Sequence, residues 1–210
     1  MDFNYSPYDE DIVIVGGKGR GKTTRAKWLT SQISALPYII WDYQWLFSGF
    51  GSIVHTVDEL KYGQYILQPY DKGYNNFIKF CNKIYYGAIK GEFSNLVLII
   101  DELHQYVTKQ KACPELYSIV MSARNQGVSG VYLSTRPASL PNWILTNAEH
   151  VFAYGLNTLG DIIWLKDFIG DKAWLLLPPD KRKELKEQPL LPKHSCIYRK
   201  QTDTESFVLD

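Results

Sequence analysis

Apolar residues in this chain gather into short unbroken runs, at 12–15, 38–41, 53–57, 65–67, 96–100, 131–134 and 150–154, each bounded by turn residues. Continuous rather than alternating runs predict parallel strands covered by helices on both faces. Helix-length segments separate them at 24–33, 75–90, 114–126 and 158–168. Strand and helix alternating along the chain predicts an α/β fold, with a mostly parallel central sheet flanked by helices. The pattern changes at Pro178-Pro179. Beyond it lie a mixed charge run at 181–187, expected as an exposed helical face, and two segments, 196–199 and 206–209, expected to pair as a C-terminal hairpin. With no repeat, low-complexity tract or linker, residues 1–210 are expected to form one domain, a core over about 11–177 and an extension over 178–210.

Chemistry enters directly after the first run. Gly16-Gly17-Lys18-Gly19-Arg20-Gly21-Lys22-Thr23 fits the phosphate-loop pattern G-x-x-x-x-G-K-[ST] between a strand and a helix. Backbone amides must converge on phosphate oxygens, and glycines let the chain curl tightly enough to do it. Gly16, Gly17, Lys18, Gly19, Arg20, Gly21, Lys22, Thr23 and Thr24 are therefore the expected contacts of a nucleoside triphosphate such as ATP. Lys22 supplies charge to the β/γ-phosphates, and Thr23 offers a hydroxyl to Mg²⁺. The fifth run ends in Asp101-Glu102. A buried strand ending in two carboxylates places Asp101 to anchor the Mg²⁺ shell and Glu102 to orient the attacking water.

Composition narrows the field. Net charge is +1, from 23 basic and 22 acidic residues, so any nucleic-acid contact must be local. The 15 Tyr and 6 Trp are expected mainly in core and interfaces. Cys81, Cys113 and Cys196 form no C-x-x-C pair, which argues against a disulfide framework or zinc site and for a reducing compartment. The first eleven residues are polar and acidic rather than leader-like, and no apolar run approaches the ~18 residues of a membrane span. A soluble protein, not an integral membrane protein, is expected.

A third cluster, Arg124-Asn125-Gln126-Gly127-Val128 and then Ser134-Thr135-Arg136-Pro137, completes a distinctive order. Phosphate loop, strand plus Asp-Glu, R-x-x-G-V, and a strand ending in Arg-Pro together resemble the FtsK and HerA superfamily of DNA-pumping ATPases. Among its branches the resemblance is to the genome-packaging ATPases of membrane-containing icosahedral viruses, archaeal ones included, over about residues 12–154. It implies a RecA-like P-loop NTPase in which the strand before Arg-Pro lies between the phosphate-loop strand and the Asp-Glu strand. Ser134 and Thr135 would then face the γ-phosphate, with Arg136 close by. The family commonly has Thr-Gln-Arg-Pro, so Thr135 stands where glutamine usually does and reaches phosphate through water.

The resemblance also implies that Arg124 enters the neighbouring subunit's site, with Arg136 a second candidate for that task, and that Asp42 matches an acidic position near the nucleotide. Catalysis would rest on Lys22, Glu102, Arg124 and Thr135, with ATP and Mg²⁺. Double-stranded DNA would pass through a homo-oligomeric ring, hexameric in the family, held by sequence-independent backbone contacts. Lys109 and Lys111 are candidates for such contacts. A capsid or vertex protein is a further implied partner, and host cytoplasm or virion the implied location. The chain's being little more than a motor core suits packaging. Two alternatives stay open: a virion assembly or secretion ATPase that does not move DNA, and a small-molecule kinase, for which Glu102 beside Asp101 has no use.

Overall fold

The structure, a computed structural model, describes residues 5–203 and 205–209. Residues 1–4 of the polar, acidic start, and residues 204 and 210 of the extension, lie outside the described residues. Among the described residues nine strands form one sheet: β1 (Ile12–Val15), β2 (Tyr38–Trp41), β3 (Ser52–Val54), β4 (Gln64–Leu67), β5 (Leu96–Ile100), β6 (Val128–Ser134), β7 (His150–Tyr154), β8 (Cys196–Lys200) and β9 (Phe207–Leu209). Their spatial order is β3-β4-β2-β5-β6-β1-β7-β8-β9. The first seven pair in parallel, and β8 and β9 close one edge antiparallel. The expected fold class and terminal hairpin are present, and β6 lies between β1 and β5 as the resemblance implied.

Alternate side chains of each strand face opposite sides of the sheet, and both sides are buried. On one side Ile12, Ile14, Ile40, Val97, Ile99 and Leu133 pack against Ala26, Leu29 and Ile33. The first two of these helical residues belong to α1 (Lys22–Gln32). On the other side Val13, Val15, Trp41, Leu98, Ile100 and Tyr132 meet α2 (Tyr74–Ile89), α3 (Pro114–Ser122), α4 (Asn142–Thr146) and α5 (Leu159–Ile169). Trp41 is the pivot of that layer, its ring 5.2 Å from Phe77, 4.9 Å from Phe80 and 5.4 Å from Tyr106.

Three sequence expectations are corrected locally. The run at 53–57 is a strand only over Ser52–Val54, because Val57 turns inward to open a 3₁₀ turn over Val57–Glu59 and is buried there. The helix expected at 114–126 ends at Ser122 and tightens into a 3₁₀ turn over Ala123–Gln126, stopped by Gly127 at φ 72°. The charge run at 181–187 is exposed, as expected, at Lys181, Lys183, Glu184, Lys186 and Glu187, but it is not helical beyond the 3₁₀ turn that ends at Lys181. Arg182 is buried there, and its guanidinium donates to the carbonyls of Leu175, Leu177, Leu185, Gln188 and Pro189. One arginine thus satisfies carbonyls from the end of the 3₁₀ turn over Asp171–Leu176 and from the irregular segment after it, which a charge pattern alone does not disclose.

Candidate nucleotide site

Parallel strands deliver their C-terminal ends to one edge of the sheet, and the predicted site residues other than Arg124 sit on that edge. The loop after β1 wraps so tightly that Gly16, at φ 154°, would place a Cβ 2.6 Å from Cβ of Tyr154. Its amide donates to the Ser134 carbonyl at 3.2 Å, and the Gly17 amide donates to the Gly155 carbonyl at 2.8 Å. The loop is thereby pinned to the ends of both neighbouring strands, β6 and β7. Gly21, in the left-handed region at φ 115°, starts α1 with no side-chain cap and no acidic residue in the first turn. That leaves the helix N-terminus to an anion. Lys18, Gly19 and Thr24 are exposed, Arg20 and Thr23 half-buried, and Lys22 buried.

Lys22 turns back over the loop, Nζ 3.3 Å from the Gly17 carbonyl. Burial depresses its pKa, while the charges of Glu102 and Asp101 oppose that effect. Asp101 shows the reciprocal effect. Burial, then the neighbouring Glu102 and Asp42 carboxylates, push it up to about 7, against the pull of Lys22. Its Oδ2 is buried with no hydrogen-bond partner. A buried, unpartnered carboxylate oxygen is costly unless something cationic completes it. An oxygen donor set of this kind, Asp101 with the Thr23 hydroxyl, fits Mg²⁺, which typically takes one or two protein oxygens and fills its shell with waters and phosphate oxygens. Among the described residues no group of three or more His, Cys, Asp or Glu is placed to hold a metal by itself.

Glu102 is held in the left-handed region at φ 50°, where its backbone leaves β5 for a 3₁₀ turn over Leu103–Gln105. Residues other than glycine occupy this region at a cost that clusters at functional sites. Its Oε1 accepts from Gln44 at 2.7 Å and its Oε2 from the Thr135 hydroxyl at 3.0 Å. His104 joins the same network: Nδ1 lies 3.3 Å from Ser134 Oγ and Nε2 3.3 Å from Thr135 Oγ1. Burial lowers the His104 pKa; Arg136 and Lys22 reinforce this, whereas Glu102 and Asp161 oppose it. Ser134 Oγ also accepts from the Arg136 amide at 3.1 Å. The hydroxyls of Ser134 and Thr135, expected to face phosphate, are thus turned toward Glu102 and His104.

Two adjoining clefts open here, of about 610 and 550 Å³, and share Lys18, Thr135, Arg136 and Ser139. The first continues past Gly17, Lys109 and Asp161, and the second past Gln44, Glu102 and His104. Their volume suits a small-molecule ligand. A third cleft, about 360 Å³ and lined by Leu145, Thr146, Phe168 and Arg199, lies toward the opposite end of the sheet and holds none of these groups.

Other candidates are placed differently. Asp42 is buried close enough to perturb Asp101, but its own oxygens accept from the amides of Leu46 and Phe47 and from Gln68, so it braces the turn after β2. Lys109 reaches the cleft and lies over Trp164, while Lys111 lies over Tyr74. Gln44 and His104 were not singled out from sequence. The available signal was positional, since each follows by two residues an acid at the end of a central strand.

Arg124 is not brought to this edge. It lies near the start of β6, at the opposite edge, where it pairs with Glu149 at 2.7 and 3.1 Å, donates to the Asn147 carbonyl at 3.3 Å and approaches Asp11 at 3.5 Å. Asp11 is buried, its Oδ1 accepting from the Gly130 amide at 2.6 Å. Burial pushes Asp11 up to about 7, with Glu149 adding to the effect and the Gly130 amide and Arg124 opposing it. Next to it, burial works against ionisation of Glu10, yet hydrogen bonds from His150, the Ser6 amide and Lys200 hold its carboxyl down at about 2.

A parallel sheet that brings a glycine-rich loop, a buried lysine and a buried acid pair to one edge is the P-loop NTPase fold. The genome packaging NTPase B204 from Sulfolobus turreted icosahedral virus 2, in complex with ATP-gammaS, matches with TM-score 0.77 at 21% identity, covering 98% of each chain. B204, the DNA-packaging ATPase from Sulfolobus Turreted Icosahedral Virus, matches with TM-score 0.75 at 21% identity over 98% of both. The cytoplasmic domain of the Thermomonospora curvata Type VII secretion ATPase EccC matches with TM-score 0.62 at 12% identity, over 95% of this chain and 23% of that one. No protein-family model matches the sequence, and no curated protein does. At these identities the likeness is one of fold.

The carboxylates at the β6–β1 edge give a pH prediction. Glu10 ionises more readily in the folded chain than its ordinary 4.5, so stability rises between pH 2 and 4.5. Asp11 holds its proton from its ordinary 3.8 up to about 7, so stability falls as pH rises across that window. Asp11→Asn is therefore expected to be more stable than the parent at pH 8 by roughly 1–3 kcal/mol in urea unfolding, and equal to it at pH 4. A parallel shift at both pH values contradicts the assignment.

Proposed function

We propose that this chain is a Mg²⁺-dependent ATPase that drives double-stranded DNA, in a viral genome-packaging role, from within a homo-oligomeric ring. The observation that carries the enzymatic part is Asp101, buried beside Lys22 with an unpartnered oxygen on the edge where the glycine-rich loop ends. The loop amides and the α1 N-terminus receive the phosphates, and Lys22 compensates their charge. Thr23 and Asp101 hold the magnesium ion, which when bound neutralises charge developing on the phosphate oxygens. Glu102, in a site walled by β5 and β6, orients the attacking water and accepts its proton. Arg136, exposed on the cleft wall, stabilises phosphate charge in its own subunit.

Movement of DNA is supported by the fold shared with B204, which is described as a genome-packaging NTPase. The lack of a strong net charge, at +1, fits a ring that grips phosphates only along its channel. Lys109, at the cleft and exposed, is positioned to report nucleotide state to such a channel, and Lys111 follows it. The fold shared with the secretion ATPase EccC favours a second reading, an assembly or secretion ATPase that moves protein.

Hydrolysis measured with and without duplex DNA separates these. The motor predicts turnover raised by DNA and lost by about 100-fold or more in Glu102→Gln, with ATP binding retained. DNA-independent hydrolysis favours the assembly ATPase, and turnover only with a small acceptor favours a kinase. In the ring, Arg124 leaves its pairing with Glu149 to serve the adjacent subunit's site, where an arginine in trans contributes about 10³ to 10⁵ in rate. Mixing Lys22→Ala with Arg124→Ala subunits is expected to restore part of the activity that each lacks alone. No recovery at any ratio assigns Arg124 to its ion pairs only.

A further inference from the structure

We propose that His104 is a positioning residue for Glu102, fixing the direction of its carboxylate through a relay of hydroxyl groups; the proposal rests on the ATPase reading above. His104 faces the site rather than the core, lines the cleft together with Glu102, Thr135 and Gln44, and spans from the β5 end to the β6 end. Glu102 can only accept hydrogen bonds when ionised. Its Oε1 is served by Gln44 at 2.7 Å, and its Oε2 needs the single proton of the Thr135 hydroxyl at 3.0 Å.

Counting protons fixes the tautomer. If His104 carried its proton on Nδ1, its bare Nε2 would compete with Glu102 for the Thr135 proton. With the proton on Nε2, the ring donates to Thr135 Oγ1 and leaves that hydroxyl free to donate onward to Glu102. The bare Nδ1 then accepts from Ser134, whose oxygen is in turn occupied by the Arg136 amide. Every donor in the series is used once: Arg136 amide to Ser134, Ser134 to His104, His104 to Thr135, Thr135 to Glu102. In such a series each bond polarises the next. In this tautomer the bare Nδ1 also lies 3.3 Å from Glu102 Oε2, an acceptor–acceptor contact that the Ser134 proton donated to Nδ1 offsets. Residues 134–136, which form the wall shared by both clefts, are thus connected to the water-orienting carboxylate through an imidazole contributed by a different strand end.

The test is steady-state ATP hydrolysis together with equilibrium binding of a non-hydrolysable ATP analogue, for the parent, His104→Ala, His104→Gln, Thr135→Val and the double variant His104→Ala/Thr135→Val. The relay predicts that His104→Ala lowers kcat by about 10- to 100-fold, with KM and analogue affinity within about threefold of the parent. His104→Gln, which can donate to Thr135, recovers most of the loss. Thr135→Val breaks the same relay one bond further on, so its loss matches that of His104→Ala, and the double variant loses no more than either alone. Should His104→Ala unfold, Thr135→Val and His104→Gln carry the same comparison. An unchanged kcat in His104→Ala, additive losses in the double variant, or a loss confined to KM overturns the role of His104 while leaving the ATPase reading in place. A parent chain that binds the analogue but never hydrolyses ATP overturns both.

Discussion

Burial of opposite charges at the ends of parallel strands governs this molecule. Lys22, Asp101 and Glu102 are removed from water on one edge of the sheet, and Asp42 lies near enough to add its charge. In such surroundings the neighbouring charges act strongly on Lys22 and Asp101. Lysine is pushed toward neutrality and aspartate toward protonation, each restrained by the other. Isolated, the arrangement is expensive, and a bound anion and cation would offset that cost. The fold supplies the rigidity this needs, since β1, β6 and β5 are adjacent, fully buried and hydrogen-bonded along their lengths.

The sheet has a second electrostatic centre at its other edge. There Arg124 is ion-paired with Glu149 and Lys200 with Glu10, Asp11 lies against Arg124, and His150 is hydrogen-bonded to Glu10. This cluster clamps the starts of β1, β6 and β7 and gathers β8 to them, while the C-terminal ends of β1, β6 and β5 carry the site. An arginine held there cannot serve its own site, across the length of the strands. In the proposed ring, contact with another subunit is the route by which it would reach a phosphate.

The strands were legible because residues such as Ile12 to Val15 and Leu96 to Ile100 are apolar at every position, a pattern that a sheet buried on both faces requires. The phosphate loop and acid pair were legible because few residue types permit those turns and charges. Partners across space were not. Nothing adjacent to Arg182 signals that five carbonyls surround it, and nothing adjacent to Arg124 signals Glu149. Gln44 escaped notice because the carboxylate it meets is distant in sequence, and His104 because only the strained turn at Glu102 brings its ring to Ser134 and Thr135. Thr135 was recognised as shorter than the residue usual in similar proteins, but only the folded chain places its hydroxyl on Glu102.

The most direct measurement is the affinity of a non-hydrolysable ATP analogue by calorimetry, in Mg²⁺ and in chelator, for the parent chain and for Asp101→Asn. If the unpartnered Asp101 oxygen exists to complete a magnesium shell, Mg²⁺ tightens binding to the parent about tenfold or more, and this gain disappears in Asp101→Asn while the metal-free affinity is kept. An equal gain from Mg²⁺ in both proteins would contradict the account.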